Sequence, residues 1–336
     1  MISVVIPVYN TAPFLSECLD SIVSQSYRDL EIFCIDDGST DESWAIIESY
    51  ANRDSRIKPV KLDVNHGVPY ARNLALDMAL GEYLYYMDSD DWIDQNYLEE
   101  MNNAALRTGQ DVVINRNWYK GYGNTSERKS SGDFGFIKPV AGYYSPTIVQ
   151  ARFYPVVWAR LYKVKYLRDN NIRSPLLKGG VEDNFFTSLA EILQEKSYIF
   201  PGPFYHYRQR TGSLVSQPGS GFRHFENFRL FCDELKARGI WGLARLYYVP
   251  RKLVIENERQ YDFIRSFFAD IIDEVKAFPD LYSSVDLFFI WAMSSCETYS
   301  EWLLKYSPSA YLSYFKFIKQ TGYYPSAEHY LTQTRF

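Results

Sequence analysis

The sequence predicts an α/β fold, with a mainly parallel sheet flanked by helices and a helical region at its C-terminal end. Three observations support this prediction. Over about the first 115 residues, short apolar stretches typical of buried strands alternate with stretches whose apolar residues recur at helical spacing. The connections between these stretches are short, as in βαβ units. After about residue 217, the chain is helical in pattern and rich in aromatic residues.

Each predicted strand is a short apolar run, and a helical pattern follows it. The strands cover residues 3–9 (SVVIPVY), 31–37 (EIFCIDD), 57–62 (IKPVKL), 84–87 (LYYM) and 111–115 (DVVIN). Pro13 suits the first turn of the first helix. The segment STDES is typical of an N-cap before the second helix, and Ala71 and Ala75 lie in the third. A fourth helix is expected from about Asp94.

The remaining sequence predicts two further regions. Residues 121–142 are polar and rich in glycine, which predicts a loop, and ordered structure resumes over residues 156–172. GGVEDNFFTSLAEIL predicts a turn that enters a helix, and FYHYRQRTGSLVS predicts a strand that leads into a loop. We therefore expect one domain over residues 1–216 and a helical region over residues 217–336. That helical region could cover the sheet, dimerise or touch a membrane surface.

Composition excludes several classes of protein. Of the 336 residues, 46% are hydrophobic and 23% are charged, as in a globular protein. A net charge of −5 argues against a partner made of nucleic acid. The four cysteines have no disulfide or metal-site spacing. The N-terminal sequence lacks the basic segment of a signal peptide, and the apolar run over residues 285–296 is too short to span a bilayer, so a cytoplasmic protein is expected.

Polar residues follow each of the first four predicted strands. They are Tyr9-Asn10, Asp36-Asp37-Gly38-Ser39, Asn65-His66-Gly67 and Asp88-Ser89-Asp90-Asp91. Ligands of open parallel sheets bind outside the carboxyl ends of the strands, so these residues predict a binding site.

The pair Asp88 and Asp90 is the most informative of these polar groups. Residues i and i+2 of an extended chain point to the same side, so the two carboxylates would face together while Ser89 turns away. Two close carboxylates repel unless a cation joins them, and Mg²⁺ or Mn²⁺ binds through one or two carboxylates plus substrate phosphates. The alternative is a helix cap, which Asp91 or Asp94 could supply.

Several separated motifs occur in a fixed order along the chain. They are ISVVIPVYN at the start, DDGSTDES at residues 36–43, Asn65 and Gly67 with ARN at 71–73, DSDD at 88–91, then WARLY, EDNFF and YHYRQRTGS. Together they resemble the family 2 glycosyltransferases of bacterial surface-glycan synthesis, which transfer sugars from nucleotide diphosphates and have the Rossmann-like GT-A fold. The resemblance covers about residues 2–216. In two departures from the pattern, His206 stands where Tyr is common and Ala159-Arg160 where Asn-Lys is usual.

The resemblance implies a nucleotide-binding half over residues 1–115 and an acceptor-binding half over residues 116–216. Tyr9 and Asp37 would lie by the uracil and ribose, and Pro7 would shape the first turn. Arg72 would contact the nucleotide pocket or its wall, or else pair with Asp77 or Glu82 on a helix face. The full set implied for the nucleotide-sugar is Pro7, Tyr9, Asn10, Asp37, Asn65, Gly67, Arg72, Asp88, Ser89, Arg208, Arg210 and Ser213.

The resemblance also implies how the diphosphate is held. Asp88 would hold the ribose or the metal, and Asp90 the metal, Mn²⁺ or Mg²⁺. His206 is a further candidate ligand, although a lone histidine among tyrosines is more often packed or hydrogen-bonded. Arg208 and Arg210 would share one face of their strand and contact the diphosphate, because arginine forks suit phosphate oxygens. The alternative for both arginines is a solvated basic strand edge.

The activity that the resemblance implies is inverting transfer of a hexose or N-acetylhexosamine. The expected donor is a UDP-sugar, and the acceptor is a hydroxyl of a glycan or lipid-linked saccharide. Asp183 would be the general base and Glu182 would position the acceptor, unless both only cap their helix. Trp158 could stack on the acceptor sugar or belong to the core. The implied setting is polysaccharide or lipopolysaccharide synthesis, with peripheral association at the inner face of a membrane and homo-oligomers formed through the C-terminal helices.

Three other classes of function compete with this interpretation. A haloacid-dehalogenase-like phosphatase also uses Asp-x-Asp, but after its first strand and followed by Thr or Val. A dinucleotide oxidoreductase needs G-x-G-x-x-G after the first strand, and PVYNTAPF contains no glycine. A non-catalytic scaffold that binds a nucleotide or a partner is the third. The presence of Asp88, Asp90, Asp183 and Arg208 together argues against that scaffold.

Overall fold

The computed structural model describes residues 1–122, 129–130, 141–146, 149, 155–176, 182–209, 220–241, 257–277, 291 and 293–306. The chain divides into two compact units, Met1–Pro218 and Gly219–Phe336. The first unit contains two sheets and the second is helical where it is described. The predicted helical C-terminal region is thus present.

The first unit alternates strands and helices along its N-terminal half. Its strands are β1 Ile2–Val8, β2 Leu30–Asp36, β3 Ile57–Lys61, β4 Tyr83–Tyr86, β5 Trp92–Ile93, β6 Val112–Asn115, β7 Trp118–Tyr122, β8 Lys129–Ser130, β9 Gly142–Tyr144, β10 Arg160–Lys163, β11 Ser197–Phe200 and β12 Tyr205–Gln209. Its helices are α1 Ala12–Val23, α2 Ser43–Ala51, α3 Val68–Met78, α4 Tyr97–Thr108, α5 Val164–Asp169 and α6 Glu182–Ile192, with a short 3₁₀ turn at Val157–Ala159.

The large sheet has the strand order β3-β2-β1-β4-β10-β6-β11-β9. Strands β1 to β4 are mutually parallel, and β10 lies antiparallel between β4 and β6. The prediction of a mainly parallel sheet flanked by helices is confirmed. A second sheet, with the order β5-β12-β7-β8, has β12 parallel to β7 and antiparallel to β5.

Local sequence explains where several helices begin and end. A proline lies in the first turn of both α1 and α3, and Gly67 precedes α3 with a φ of 92°. The N-cap predicted within STDES is supplied differently: Asp41 Oδ1 accepts the Ser43 N–H at 3.0 Å, while the cap position itself has no side-chain hydrogen bond. The fourth helix begins at Tyr97 rather than near Asp94, because β5 comes first.

The loop predicted over residues 121–142 is wrong in part. β7 extends to Tyr122 and pairs with β8, and β9 begins at Gly142 and pairs with β11. Residues 123–128 and 131–140 lie outside the described residues. The loop prediction relied on polar composition, and a two-residue strand such as β8 shows no periodicity that could have indicated a strand.

A buried group of hydrogen bonds centred on Glu31 joins β1, β2 and the segment before β4. Ser3 Oγ donates to Glu31 Oε1 at 2.5 Å, and the same carboxylate oxygen accepts the N–H groups of Leu80 and Gly81 at 2.7 and 3.0 Å. A Cβ on Gly81 would lie 2.6 Å from Ser3 Oγ and 2.7 Å from Ser3 N. This hydrogen-bonded arrangement therefore requires glycine at position 81.

The second unit contains α7 Ser220–Ala237, α8 Glu258–Ala277 and α9 Tyr299–Tyr306. Phe228 packs edge-on against Phe267 at 4.7 Å between ring centroids. The buried hydroxyl of Tyr261 donates to the carbonyls of Met293 and Cys296 at 3.2 and 2.9 Å. Among the helices described here, none combines the length and the apolar character that crossing a bilayer requires.

We predict that Gly81→Ala lowers the free energy of unfolding by about 1–3 kcal/mol, because the added methyl group overpacks backbone atoms that cannot move aside. Urea unfolding of the intact chain measures the change. The control is Gly109→Ala, where a Cβ meets nothing within 4 Å and only the left-handed φ of 65° costs energy, about 1 kcal/mol. An unfolding midpoint for Gly81→Ala equal to that of the wild type would contradict the prediction.

Candidate active site

Three loops that follow parallel strands meet at one edge of the large sheet. The Asn10 N–H donates to Ser39 Oγ at 3.0 Å, and Asn10 Oδ1 accepts the Thr40 N–H at 2.8 Å. Thr11 Oγ1 donates to Ser89 Oγ at 3.0 Å. These bonds join the loops after β1, β2 and β4. The structure thus brings together the polar strand ends that the sequence singled out.

The first turn of the site is formed by Asn10 and not by Pro7. Pro7 lies within β1, opposite Ile35, where its fixed φ suits extended backbone. Asn10 adopts a φ of 51°, a left-handed conformation that asparagine tolerates better than most residues. The Tyr9 side chain, 45% exposed, is therefore presented at the end of the strand.

Asp37 organises the loop before α3. Its Oδ1 accepts the His66 N–H at 2.8 Å and its Oδ2 accepts the Gly67 N–H at 2.7 Å. A Cβ on Gly38 would lie 2.9 Å from the Asn65 backbone nitrogen, so the two loops approach too closely for a larger residue. Asn65 itself is exposed at this edge. The buried Asp37 thus has a structural role, and its contact with a nucleotide stays a prediction.

The four residues of DSDD occupy different environments. Ser89 is buried against Thr11, so its place among the nucleotide-sugar ligands has no support here. Residues 89 and 90 form a turn, closed by the Asp91 N–H, which donates to the Asp88 carbonyl at 3.2 Å, so the extended alternation predicted for Asp88 and Asp90 is wrong. Asp91 is 1% exposed, and it accepts the Tyr205 hydroxyl at 2.5 Å and the Arg208 N–H at 2.7 Å. Asp88 and Asp90 are partly exposed.

The helix-cap alternative for Asp91 and Asp94 is wrong. The residue that precedes α4 is Asn96, and no side chain caps that position. Asp94 instead accepts the Phe204 N–H at 2.8 Å, which ties the start of β12 to β5.

Arg72 is the centre of a buried charge cluster. Its Nη1 forms an ion pair with Asp183 Oδ1 and lies 3.8 Å from Glu182 Oε1, and its Nη2 lies 3.4 Å from Asp88 Oδ1. The side chain is 4% exposed. The predicted alternative, pairing with Asp77 or Glu82 on the helix face, is wrong: Asp77 pairs with Arg173. Arg72 thus joins the end of β4 to the start of α6.

The cluster changes the protonation of its carboxylates. Loss of solvent raises the pKa of Asp88 to about 7; Arg72 opposes this rise, and the charges of Asp183, Asp90 and Glu182 add to it. Burial likewise raises the pKa of Asp91 well above its usual range. The Arg72 guanidinium is the positive charge that these carboxylates share.

Glu182 and Asp183 open α6, where the helix dipole favours negative charge. Glu182 is 7% exposed and Asp183 is 24% exposed, so Asp183 is the more accessible of the two. Their position in the first turn agrees with the helix-dipole alternative, but the ion pair between Asp183 and Arg72 places the carboxylate in the site as well. The glycines that precede them lie outside the described residues.

Arg208 is held by protein groups. Its Nε donates to the Asp90 carbonyl at 2.9 Å, its Nη2 pairs with Glu17 of α1, and its guanidinium lies 4.6 Å from the Trp92 ring centroid. It is 8% exposed, so it is not the solvated strand edge that was weighed as an alternative. Glu17 was not foreseen, because no local pattern links residues 191 positions apart. Two further predicted ligands lie outside the described residues, Arg210 and Ser213.

Two aromatic contacts bear on alternatives that the sequence left open, those of His206 and Trp158. The His206 ring stacks on Trp92 at 4.9 Å, and its Nε2 lies 2.8 Å from Asp94 Oδ1, as expected for a packed histidine. Trp158 is 3% exposed and stacks on Tyr205 at 4.0 Å, so it belongs to the core. The role of His206 as a metal ligand stays a prediction without support from its neighbours.

The donor set suits a metal that shares its ligands with a substrate. Within the part of the chain that the structure describes, no group of three or more His, Cys, Asp or Glu residues could hold a metal alone. Asp88 and Asp90 offer two partly exposed carboxylates, and the charge of Asp90 acts on Asp88. Mg²⁺ and Mn²⁺ accept such oxygen ligands and complete their shells with phosphate and water.

Residues 3–170, half of the chain, match the family model described as glycosyl transferase family 2. The chain belongs to this family. GlyG of Streptococcus pneumoniae serotype 4, a glycosyltransferase, is 38% identical to it over 265 residues, which cover 79% of this chain and 71% of GlyG. The glycosyltransferase GlyA of the same organism is 32% identical over 227 residues, 63% of this chain and 31% of GlyA.

A solved structure shares the fold of this family 2 chain. The crystal structure of Staphylococcus aureus TarS 1–349 in complex with UDP-GlcNAc superposes with a TM-score of 0.63 and 21% identity, over 96% of this chain and 91% of that one. Full-length TarS is named a poly(ribitol-phosphate) β-N-acetylglucosaminyltransferase, and the matched stretch is 36% of its length. The predicted GT-A fold is confirmed. The chain spans about a third of the length of GlyA and of full-length TarS.

We predict that Tyr205→Phe destabilises the family 2 chain by about 1–3 kcal/mol, because Asp91 loses the hydroxyl donor that compensates its burial. Urea unfolding measures the effect. Tyr9→Phe is the matched control, since its hydroxyl lies on an exposed side chain, and it should change the free energy of unfolding by less than about 0.5 kcal/mol. Equal midpoints for the two variants would show that the Tyr205–Asp91 hydrogen bond contributes nothing.

Proposed function

We propose that this family 2 chain is an inverting glycosyltransferase that moves a sugar from a UDP-sugar to a hydroxyl of a glycan or lipid-linked acceptor. One observation carries the proposal: a single guanidinium, that of Arg72, contacts both Asp88 and Asp183. The donor-side carboxylate and the predicted base therefore share one cluster, although they come from segments far apart in sequence. Transfer requires both groups at one reaction centre.

The donor would bind along the edge formed by the loops after β1, β2 and β4. Tyr9 and Asn65 are exposed there and can contact the nucleoside, and Asp37 shapes the loop between them. The name and the UDP-GlcNAc complex of TarS support a UDP-sugar as donor. Asp88 and Asp90 would hold Mn²⁺ or Mg²⁺, which when bound neutralises charge on the leaving diphosphate.

Asp183 would act as general base. The acceptor hydroxyl gives its proton to the Asp183 carboxylate, its oxygen bonds to the anomeric carbon, and the bond from that carbon to the diphosphate breaks, so nucleoside diphosphate leaves with the electron pair. Attack opposite the leaving group inverts the anomeric centre. Glu182, next to the base, would orient the acceptor. Arg72 would fix the position of the Asp183 carboxylate and compensate its charge before the acceptor arrives.

The setting of the reaction is also part of the proposal. The name of TarS supports surface-polymer synthesis, and poly(ribitol phosphate) is the first acceptor to test. A cytoplasmic location, lipopolysaccharide as product, peripheral membrane association and oligomers formed through the C-terminal helices stay predictions.

We predict that Asp183→Asn lowers kcat for sugar transfer about 10²- to 10⁴-fold, the usual contribution of a placed general base. The measurement is UDP release from UDP-GlcNAc in the presence of poly(ribitol phosphate). Asp77→Asn, which alters an exposed carboxylate paired with Arg173, is the control and should retain wild-type kcat. If Asp183→Asn transferred sugar at the wild-type rate, Asp183 would not be the base.

We also predict that UDP raises the melting temperature in a metal-dependent manner. A ligand at about 100 times its Kd stabilises the folded state by about 2.7 kcal/mol, which moves the midpoint by a few degrees in a chain of this length. A thermal-shift panel compares UDP, GDP, CMP and dTDP, each with Mn²⁺ and with EDTA. The Asp90→Asn variant should lose the metal-dependent part of the shift.

The panel also separates the competing classes. A shift for GDP in place of UDP would change the donor class and leave the chemistry intact. A metal-dependent UDP shift without any UDP release would favour a non-catalytic nucleotide-binding scaffold. The absence of a shift for every nucleotide would contradict the proposed donor site.

A further inference from the structure

A buried ion pair lies on the side of α6 away from its catalytic end. Arg160, at the start of β10, and Glu191, in the last turn of α6, are each 1% exposed in their side chains, with Arg160 Nε and Glu191 Oε1 2.5 Å apart. Arg160 Nη1 also donates to the Val156 carbonyl at 2.6 Å. The guanidinium thus joins α6 to the segment that leads into β10.

Burial of this ion pair carries a large desolvation free energy. Removing two charges from water costs several kcal/mol per ion, and apolar residues of similar volume at such a site are often as stable. Glu191 also lies near the negative end of the helix dipole, where a carboxylate is unfavourable. Stability alone gives a weak reason for the pair, whereas a fixed geometry for α6 gives a direct one.

The ion pair connects α6 to the strand that carries the donor carboxylate. β10 is paired with β4, with Leu161 opposite Tyr85, and β4 ends two residues before Asp88. Arg160 therefore belongs to the same hydrogen-bonded framework as the DSDD segment. Asp183 lies eight residues before Glu191 on α6, a rise of about 12 Å along one rigid helix. A slide or rotation of α6 would move Asp183 relative to Asp88.

We propose that Arg160 is a positioning residue for transfer: through Glu191 it fixes α6 on β10 and so sets where Asp183 stands against Asp88. The inference rests on the proposed function, because it assigns Arg160 an effect that passes through the proposed base. This role uses two nitrogens of the Arg160 guanidinium: Nε contacts Glu191, and Nη1 donates to the Val156 carbonyl. A lysine ammonium cannot reproduce this planar arrangement.

The test compares Arg160→Lys and the double variant Arg160→Met/Glu191→Leu with the wild type. UDP release from UDP-GlcNAc with poly(ribitol phosphate) gives kcat and KM, and thermal shift gives folding and UDP binding. We expect both variants to fold and to keep their UDP shift and donor KM, while kcat falls at least 10-fold. A displacement of about 1 Å can cost 10²-fold in rate. The matched control, Lys165→Met/Asp169→Leu, alters an exposed ion pair of α5 and should retain wild-type kcat.

The decisive comparison places Arg160→Lys in an Asp183→Asn background. If Arg160 acts through Asp183, the two losses in kcat are not additive, and Arg160→Lys lowers the residual rate less than 2-fold. A purely structural role lowers the rate by the same factor in both backgrounds. An equal reduction of the rate in both backgrounds overturns the proposal, and so does a folded Arg160→Lys variant with wild-type kcat. If Arg160→Met/Glu191→Leu fails to fold, the result for Arg160→Lys decides. A wild-type protein that releases no UDP would contradict the proposed function, and this inference with it.

Discussion

The ion cluster around Arg72 is the interaction on which the site depends. Three carboxylates, Asp88, Glu182 and Asp183, lie within 4 Å of one buried guanidinium. Without the Arg72 guanidinium, these three carboxylates would repel one another where little solvent screens them. At least one carboxylate would then be protonated or displaced. Removing one partner of a buried ion pair costs far more than the pair contributes to stability. The cluster therefore specifies where α6 begins relative to β4.

The other acidic side chains at this edge of the sheet are accommodated by hydrogen bonds rather than by an arginine. Asp91 is satisfied by the Tyr205 hydroxyl and the Arg208 amide, and Asp37 by two backbone amides of the loop before α3. Such carboxylates hold loops together. Asp88 and Asp90 are partly exposed, and Asp88 also pairs with Arg72. Adjacent carboxylates in one short motif thus differ in burial and in the groups that satisfy them.

Local sequence patterns predicted the sheet and its polar edge, because strand periodicity and strand-end polarity are properties of neighbouring residues. The family resemblance placed Pro7 in a turn that Asn10 makes. The sequence patterns missed β5 and β8, which are two residues long, and did not single out β7, β9 and β11. The partner of Arg72 could not be read from the sequence, since Asp183 lies 111 residues away and α3 offers Asp77 nearby. The same holds for Arg208 and Glu17. Tertiary ion pairs depend on how helices pack on the sheet, and spacing along one chain does not contain that information.

The planar shape of arginine has a further consequence for the site. The two terminal nitrogens of Arg72 keep a fixed separation, one facing Asp183 and the other Asp88. While both contacts hold, the carboxylate that would meet the donor and the carboxylate that would meet the acceptor cannot move independently. Arg160 constrains the far end of the same helix in a comparable way. Two buried guanidinium groups, Arg72 of α3 and Arg160 of β10, thus limit movement of α6 relative to the sheet. The geometry of transfer would then depend on these ion pairs more than on loops.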